Sequence, residues 1–313
     1  ITHDYKPFRI SKNDLPKSFA KSCVMWRRRA KRRDAFKSFF DNCIKKSNVS
    51  YTPETISQAN GQYDLFISGS DQVWSPRCVG FDPVYFLTFA DNNKKYSYAA
   101  SFAVSSLPED MIDEYKKRLS GFQKFSVREP NGVNLVGELT SKPAETNLDP
   151  SLLLSADEWS KIAVRKLDKP YLLIFTANPP CSLVTFAKKL AKEKGLDIYY
   201  INDAPHLKKD GINYIVAPTV EEFVGYIKNA SCVVTNSFHG TAFSIIFRKN
   251  LFVEFKNKSG RNIRSESLLK TLGINREIIN GNSEETPINW EEVSDRLSCE
   301  IEKSLNYLKS ILD

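Results

Sequence analysis

The sequence is poor in the residues that bind metals or form redox centres. Its three histidines (His3, His206, His239) and six cysteines (Cys23, Cys43, Cys78, Cys181, Cys232, Cys299) are scattered along 313 residues, with no C-x-x-C pair and no metal-ligand spacing. That argues against a zinc site and for a reduced, cytoplasmic setting. Cys232 lies inside an apolar run and reads as a small buried hydrophobe. No apolar run reaches the length that spans a bilayer, and the N-terminus lacks the apolar core of a secretory signal. Internal repeats, low-complexity tracts and recognised RNA or DNA motifs are also missing, so nucleic acid is not an expected partner.

What is present is charge, apolar material and a regular alternation. Forty-one per cent of residues are hydrophobic, enough for one large or two modest cores. Lys and Arg total 45 against 37 for Asp and Glu, a formal charge of +8 that favours anionic partners such as phosphates or acidic membrane surfaces. The charge is densest in a helical stretch at 14–47, where Trp26, Arg27, Arg28, Arg29, Lys31, Arg32 and Arg33 stand close together and Phe36, Phe39 and Phe40 supply an apolar face. Two readings stand side by side: a solvated helix surface, or a contact with a phosphate-rich polymer or with an anionic membrane, peripherally at its inner face.

From Tyr63 onward, short apolar runs ending in small polar residues read as buried parallel strands: DLFISGS, then 95–103, 123–129, 171–177, 197–202, 212–218, 231–237 and 251–255. Between them, 108–122, 181–195 and 220–230 carry helical spacing, the second closing in Lys194-Gly195 as a helix end should. Strand alternating with helix predicts an α/β architecture with parallel sheets. The passage at 150–170, where Ser155 or Asp157 caps a short helix, divides the chain into domains at 1–155 and 156–313. The amphipathic stretch from Trp290 is expected to be a terminal helix that packs back on the first domain.

In such sheets ligands bind beyond the carboxyl ends of strands, so the polar residues there are the candidates. In Ser68-Gly69-Ser70-Asp71-Gln72-Val73-Trp74, small residues admit a ligand to the backbone while Asp71, Gln72 and Trp74 orient a sugar; the alternative is a tight turn with a packed Trp. Arg128 offers a planar fork of donors for carboxylate or phosphate, or else pairs with Glu129. Asn147-Leu148-Asp149-Pro150 is a turn by composition, for which a structural role is expected. The strongest signal is CVVTNSFHGTAFSIIFRKNLFVEF, residues 232–255. There a strand ends at Thr235-Asn236-Ser237, and His239-Gly240 stands beside the N-terminus of a helix whose free N–H groups and dipole favour an anion. His3 and His206 have no comparable context.

These segments, YDLFISGSDQVWSP, SYAASFA, FSVREPNGVNLV, LDPSLLL and VVTNSFHGTAFSIIF, occur in an order that resembles the polysaccharide pyruvyl transferase family over nearly the whole chain. The resemblance implies two Rossmann-like domains arranged as in glycosyltransferase-B enzymes, with the active site in the interdomain cleft. It implies transfer of a pyruvyl group from phosphoenolpyruvate to two hydroxyls of one sugar, in a polysaccharide or its lipid-linked precursor, as a cyclic ketal. No cofactor is implied beyond phosphoenolpyruvate as donor substrate. In those terms His239 is the proton carrier and Arg128 holds the donor's carboxylate or phosphate. Ser70, Asp71, Gln72, Trp74, Asn236, Ser237 and Gly240 bind substrate, and Arg264 adds a second positive contact through a looser match. Family members begin with a strand and a helix that precede the segment resembling DYKP, so the first domain is expected to lack both.

Two other functions fit the residues. A nucleotide-sugar glycosyltransferase shares the architecture, which cannot separate the chemistries. A catalytically impaired, glycan-binding relative would use the basic helix and Trp74.

Overall fold

The computed structural model describes residues 15–77, 81–202, 211–255, 262–283 and 285–313, with side chains from residue 25 onward. In chain order the elements are α1 (Leu15–Cys43), β1 (Phe66–Gly69), β2 (Lys95–Tyr98), α2 (Ile112–Leu119), β3 (Phe125–Val127), α3 (Pro130–Thr140), β4 (Ala144–Thr146), α4 (Ala156–Ser160), β5 (Tyr171–Phe175), α5 (Leu183–Lys194), β6 (Asp197–Ile201), β7 (Asn213–Ile215), α6 (Val220–Asn229), β8 (Cys232–Thr235), α7 (Phe238–Ile246), β9 (Asn250–Val253), α8 (Ile263–Leu272) and α9 (Trp290–Leu312). Every ladder pairing between these strands is parallel, and the chain is an α/β protein. The opening ITHDYKP, which contains the DYKP segment of the resemblance, lies outside the described residues.

The chain forms two compact units, each taking residues from more than one stretch of sequence. One contains the described residues of 50–154, 255–275 and 284–313, so α8 and α9 belong with the first four strands. The other contains α1, residues 155–254 and 276–283.

In the first unit β1 pairs with β2 and β3 with β4, and bridges at Tyr96–Lys124 and Ala100–Val127 join the two pairs. The last residue of β1 must be glycine, because a Cβ on Gly69 would lie 1.8 Å from the carbonyl oxygen of Tyr98 on the neighbouring strand. The core beneath is aromatic: Trp74, Phe86, Phe102, Tyr115, Phe122 and Phe125 are fully or almost fully buried around one another. Tyr307 and Ile311 of α9 cover Tyr98, and the Tyr307 hydroxyl donates to the Ser97 carbonyl over 2.9 Å. The 95–103 run, expected as one strand, is strand only as far as Tyr98. Ala99 and Ala103 both adopt positive φ, and the segment bends round the buried Glu129 carboxyl.

The second unit is a five-stranded sheet of order β7-β6-β5-β8-β9. Its direction of winding reverses between β5 and β8, where open α/β sheets bind ligands. Leu172, Ile174, Leu190, Ile198, Val234 and Phe252 fill the layer between sheet and helices. Of the two cap candidates for α4, Ser155 is the cap, in a reciprocal box with Glu158. Thr219 and Glu222 open α6 in the same way, and Gly195 at φ 63° closes α5. Exposed on α1 are Trp26, Arg27, Lys31, Arg32, Arg33 and Phe36, with the guanidinium of Arg27 over the Trp26 ring and that of Arg32 over Phe36. No helix among the described residues is long and apolar enough to cross a membrane.

Candidate functional site

In the first unit the carboxyl ends of β1, β3 and β4 deliver Ser70-Asp71, Arg128 and Asp149 to the same edge of the sheet. The side chains meet. Arg128 Nη2 lies 3.2 Å from Asp149 Oδ2 and donates to Ser70 Oγ at 3.1 Å, while Ser70 Oγ donates to Asp149 Oδ2 at 2.8 Å. Arg264, in the first turn of α8, reaches the same place: its Nη1 donates to Asp71 Oδ1 at 2.8 Å, and Arg128 Nη1 stands 3.5 Å from that oxygen. Two guanidinium groups, with side chains only 2% and 10% exposed, therefore converge on one carboxylate that is 60% exposed.

The surroundings explain why Arg128 is so well held. Asp149 accepts from the N–H and hydroxyl of Ser151 through its other oxygen, fixing the carboxylate that fixes Arg128. Ser70 and Asp71 are consecutive residues at positive φ, 45° and 55°. Their backbone is pinned to the sheet by Ser70 N–H donating to the Tyr98 carbonyl and by Ser101 N–H donating to the Asp71 carbonyl. Burial lowers the pKa of Arg264 from its ordinary value, and the nearby Arg128 charge pushes the same way against Asp71 and Glu129. Glu129 does not pair with Arg128 in the manner of a surface salt bridge. Its Oε1 accepts from Ser101 Oγ and from the N–H groups of Phe102 and Ala103, and burial raises its pKa.

Trp74, read as a sugar-stacking residue, is a core residue instead. It is fully buried among Phe86, Phe102, Phe122 and Phe125, and its indole N–H donates to the Tyr85 carbonyl at 3.2 Å. The large aromatic surface gains more by burial than an exposed loop could return. Gln72 is half-buried in the same turn, its carbonyl accepting from Ser75 N–H.

In the second unit the switch point carries the Thr235–Gly240 cluster. Asn236 Oδ1 accepts from the N–H groups of Ala177 and Asn178, and its amide donates to the Asn178 carbonyl, so this side chain ties the loop after β5 to the loop after β8. Ser237 caps α7 by accepting from Gly240 N–H at 3.4 Å. Gly240 is required by close approach: a Cβ there would lie 2.3 Å from Thr235 Oγ1, which already donates to the Phe175 carbonyl. His239 is the second residue of α7, half-buried and edge-on to the Phe238 ring at 5.5 Å, in the turn where helix N–H groups lack intrahelical acceptors.

One residue that the sequence pattern did not single out controls the other helix start at this edge. Glu254, just past β9 and 3% exposed, takes the N–H groups of Cys181, Ser182 and Leu183 at 2.9, 2.6 and 2.7 Å, and the Ser182 hydroxyl as well. An acidic residue closing an apolar strand was its only signal. His206 lies outside the described residues, as does His3. Two open depressions of about 500 Å³ each, one along α9 and one by the end of α5, contain none of the predicted site residues.

The fold and these clusters define a class: an α/β protein of parallel sheets with two arginines converging on Asp71 at one sheet edge and a histidine at a helix start on another. The family model for polysaccharide pyruvyl transferase matches residues 3–253, and the chain belongs to that family. No curated protein matches the sequence. Among solved structures, UDP-N-acetylglucosamine 2-epimerase from Rickettsia bellii is similar at 13% identity, over 89% of this chain and 87% of that one, with a TM-score of 0.43. That likeness is too distant to bear on function.

Proposed function

We propose that this chain transfers the pyruvyl group of phosphoenolpyruvate to two hydroxyls of one sugar, in a polysaccharide or its lipid-linked precursor, forming a cyclic ketal. The observation that carries the reading is the convergence of Arg128 and Arg264, both buried, on a single exposed position at the carboxyl edge of the first sheet. Such an arrangement suits a small ligand of several negative charges, because planar guanidinium forks bind carboxylate and phosphate through paired hydrogen bonds.

In this reading the donor's methylene receives a proton, supplied by His239, and becomes the methyl group of the product while its enol carbon becomes cationic. One sugar hydroxyl attacks that carbon and loses its proton. The second hydroxyl then displaces phosphate, which leaves with the second proton, so donor and diol become ketal and inorganic phosphate. Imidazole suits the proton transfer because its ordinary pKa lies near neutrality. His239 stands at the start of α7, where the helix dipole favours developing negative charge.

A nucleotide-sugar donor would place its diphosphate at the start of the helix following the first strand of a Rossmann-like sheet. There Glu254 already accepts from the N–H groups of Cys181, Ser182 and Leu183, and its negative charge at the start of α5 weighs against a diphosphate. The test is calorimetric titration of phosphoenolpyruvate into the chain and into its Arg128→Ala and His239→Ala variants, with a nucleoside diphosphate as comparison. Phosphoenolpyruvate should bind the parent chain, and Arg128→Ala should weaken it by about tenfold or more, the usual scale for losing a charged hydrogen-bonded partner. His239→Ala should abolish ketal formation with a sugar acceptor. Nucleotide binding without phosphoenolpyruvate binding would replace this reading with glycosyl transfer. Acceptor binding that survives in His239→Ala, with no turnover by the parent chain, would mark a glycan-binding relative.

A further inference from the structure

The positive charge of this chain is gathered at one place. Residues 1–46 carry 14 Lys and Arg against four Asp, whereas residues 47–313 carry 31 Lys and Arg against 33 Asp and Glu. Between Met25 and Lys46 alone, nine basic residues stand against Asp34 and Asp41. Both aspartates are paired within the segment, Asp34 with Arg33 and Asp41 with Lys37 and Lys46, and a large positive excess remains.

One side of α1 is occupied: Ala35 is buried and the helix lies against α6. With 3.6 residues per turn, positions 26, 33 and 37 project from the side opposite Ala35. There the helix exposes Trp26, Arg33 and Lys37, with Phe36 on the flank and Ile44 continuing the row past the helix end, its N–H donating to the Phe40 carbonyl. Trp26 and Phe36 are 46% and 52% exposed, while Trp74 is fully buried and Trp159 and Trp290 are half-buried. The guanidinium groups of Arg27 and Arg32 each lie 5.9 Å from the centroid of one of these rings, so aromatic and cationic groups are interleaved along the helix.

Cations alone would suit any polyanion, but the exposed rings gain only from a partner with an apolar region. An anionic bilayer supplies both, phosphates for the cations and a headgroup boundary at which Trp is favoured. A soluble polyphosphate lacks the apolar part. The two rings stand ten residues, about 15 Å, apart along the helix, too far to stack neighbouring bases of a single strand. A second copy of the chain would bring the same positive excess and be repelled.

We propose that the exposed face of α1 docks on a bilayer rich in anionic phospholipid, with Trp26, Phe36 and Ile44 at the headgroup boundary and the basic residues among the phosphates. This face shares no residue with the arginine and histidine clusters, so its test stands apart from that of the reaction.

The experiment is sedimentation of the full chain with vesicles of phosphatidylcholine, alone or mixed in equal parts with phosphatidylglycerol. The chain should pellet with the mixed vesicles and stay in solution with phosphatidylcholine alone, and added salt should weaken the binding by screening. Arg27→Gln combined with Arg33→Gln should lower the partition coefficient about tenfold. Trp26→Ala combined with Phe36→Ala should lower it by roughly the same factor and leave binding to soluble inorganic polyphosphate unchanged. All four positions are exposed, so an unaltered melting temperature should accompany both losses. Binding to polyphosphate or to a single-stranded oligonucleotide, without binding to mixed vesicles, overturns the membrane surface and marks a site for soluble polyanions. Partition that is indifferent to lipid charge, or that keeps its full strength without the two rings, overturns the proposal, as does an absence of binding to both kinds of vesicle.

Discussion

Glu129 shows how one buried carboxyl organises a loop that the sequence presents as strand. Its Oε1 gathers three donors from Ser101, Phe102 and Ala103, while Oε2 has no hydrogen-bond partner among the described residues. Burial raises its pKa, with hydrogen bonds to Ala103 and Ser101 and then the charges of Arg128 and Arg264 opposing. A carboxyl whose pKa is raised on folding contributes stability that is fully present below its unfolded pKa, about 4.3, and is lost as pH rises through the raised folded value. The denaturant midpoint of the parent chain should therefore carry a falling component above about pH 4.3. Glu129→Gln keeps the accepting oxygen and cannot ionise, so this component should vanish from its profile. Identical slopes for the two chains would show that Glu129 is ionised in the folded state.

At the scale of elements, helix starts carry much of the organisation. Ser155 and Thr219 were the kind of residues that announce a cap, and Ser155 was readable in advance from its place before a short helical run. Glu254 was not, because it caps α5 from another strand, 71 residues away from Leu183. Replacing it by alanine leaves N–H groups of Cys181, Ser182 and Leu183 without that acceptor. The expected cost is about 1–3 kcal/mol of unfolding free energy, measured by urea titration, with Glu254→Gln intermediate. Two helices and one strand escaped the sequence pattern for related reasons. α3 contains Asn131, Gly132, Asn134 and Gly137, poor helix formers, yet Pro130 opens it and Gly132 lets it lie against Val127. α8 is recognised only once Arg264 is seen to point from it toward Asp71, and β4 is three residues long, too short for a period to register.

At the scale of the molecule, the chain returns to its first unit after building the second. α9 supplies Tyr307 and Ile311 against Tyr98, its Ser304 hydroxyl accepts from Leu148 N–H at 3.0 Å, and Lys124 donates to the Ser310 carbonyl. A chain ending at residue 289 would uncover this apolar surface beside the strands that carry Arg128 and Asp149. We expect it to lose the cooperative thermal transition of the unit or to aggregate. A truncated chain that melts with the same midpoint and enthalpy as the parent in differential scanning calorimetry would make α9 dispensable.

The sequence by itself determined the α/β class, the parallel strands and the stretches that end in polar residues at strand ends, because those follow from local apolar periodicity and from small residues at turns. It also marked Asp71, Arg128 and His239 as the residues to inspect. Only the tertiary structure decided which of these side chains meet: Arg264 comes to Asp71 across 193 positions, Trp74 sinks into the core, and Asn236 is taken up in tying two loops together. The reason is physical. Exposure and pairing are settled by contacts between distant segments, so a polar residue at a strand end reads the same in sequence whether it faces a ligand, caps a helix or supports its neighbour.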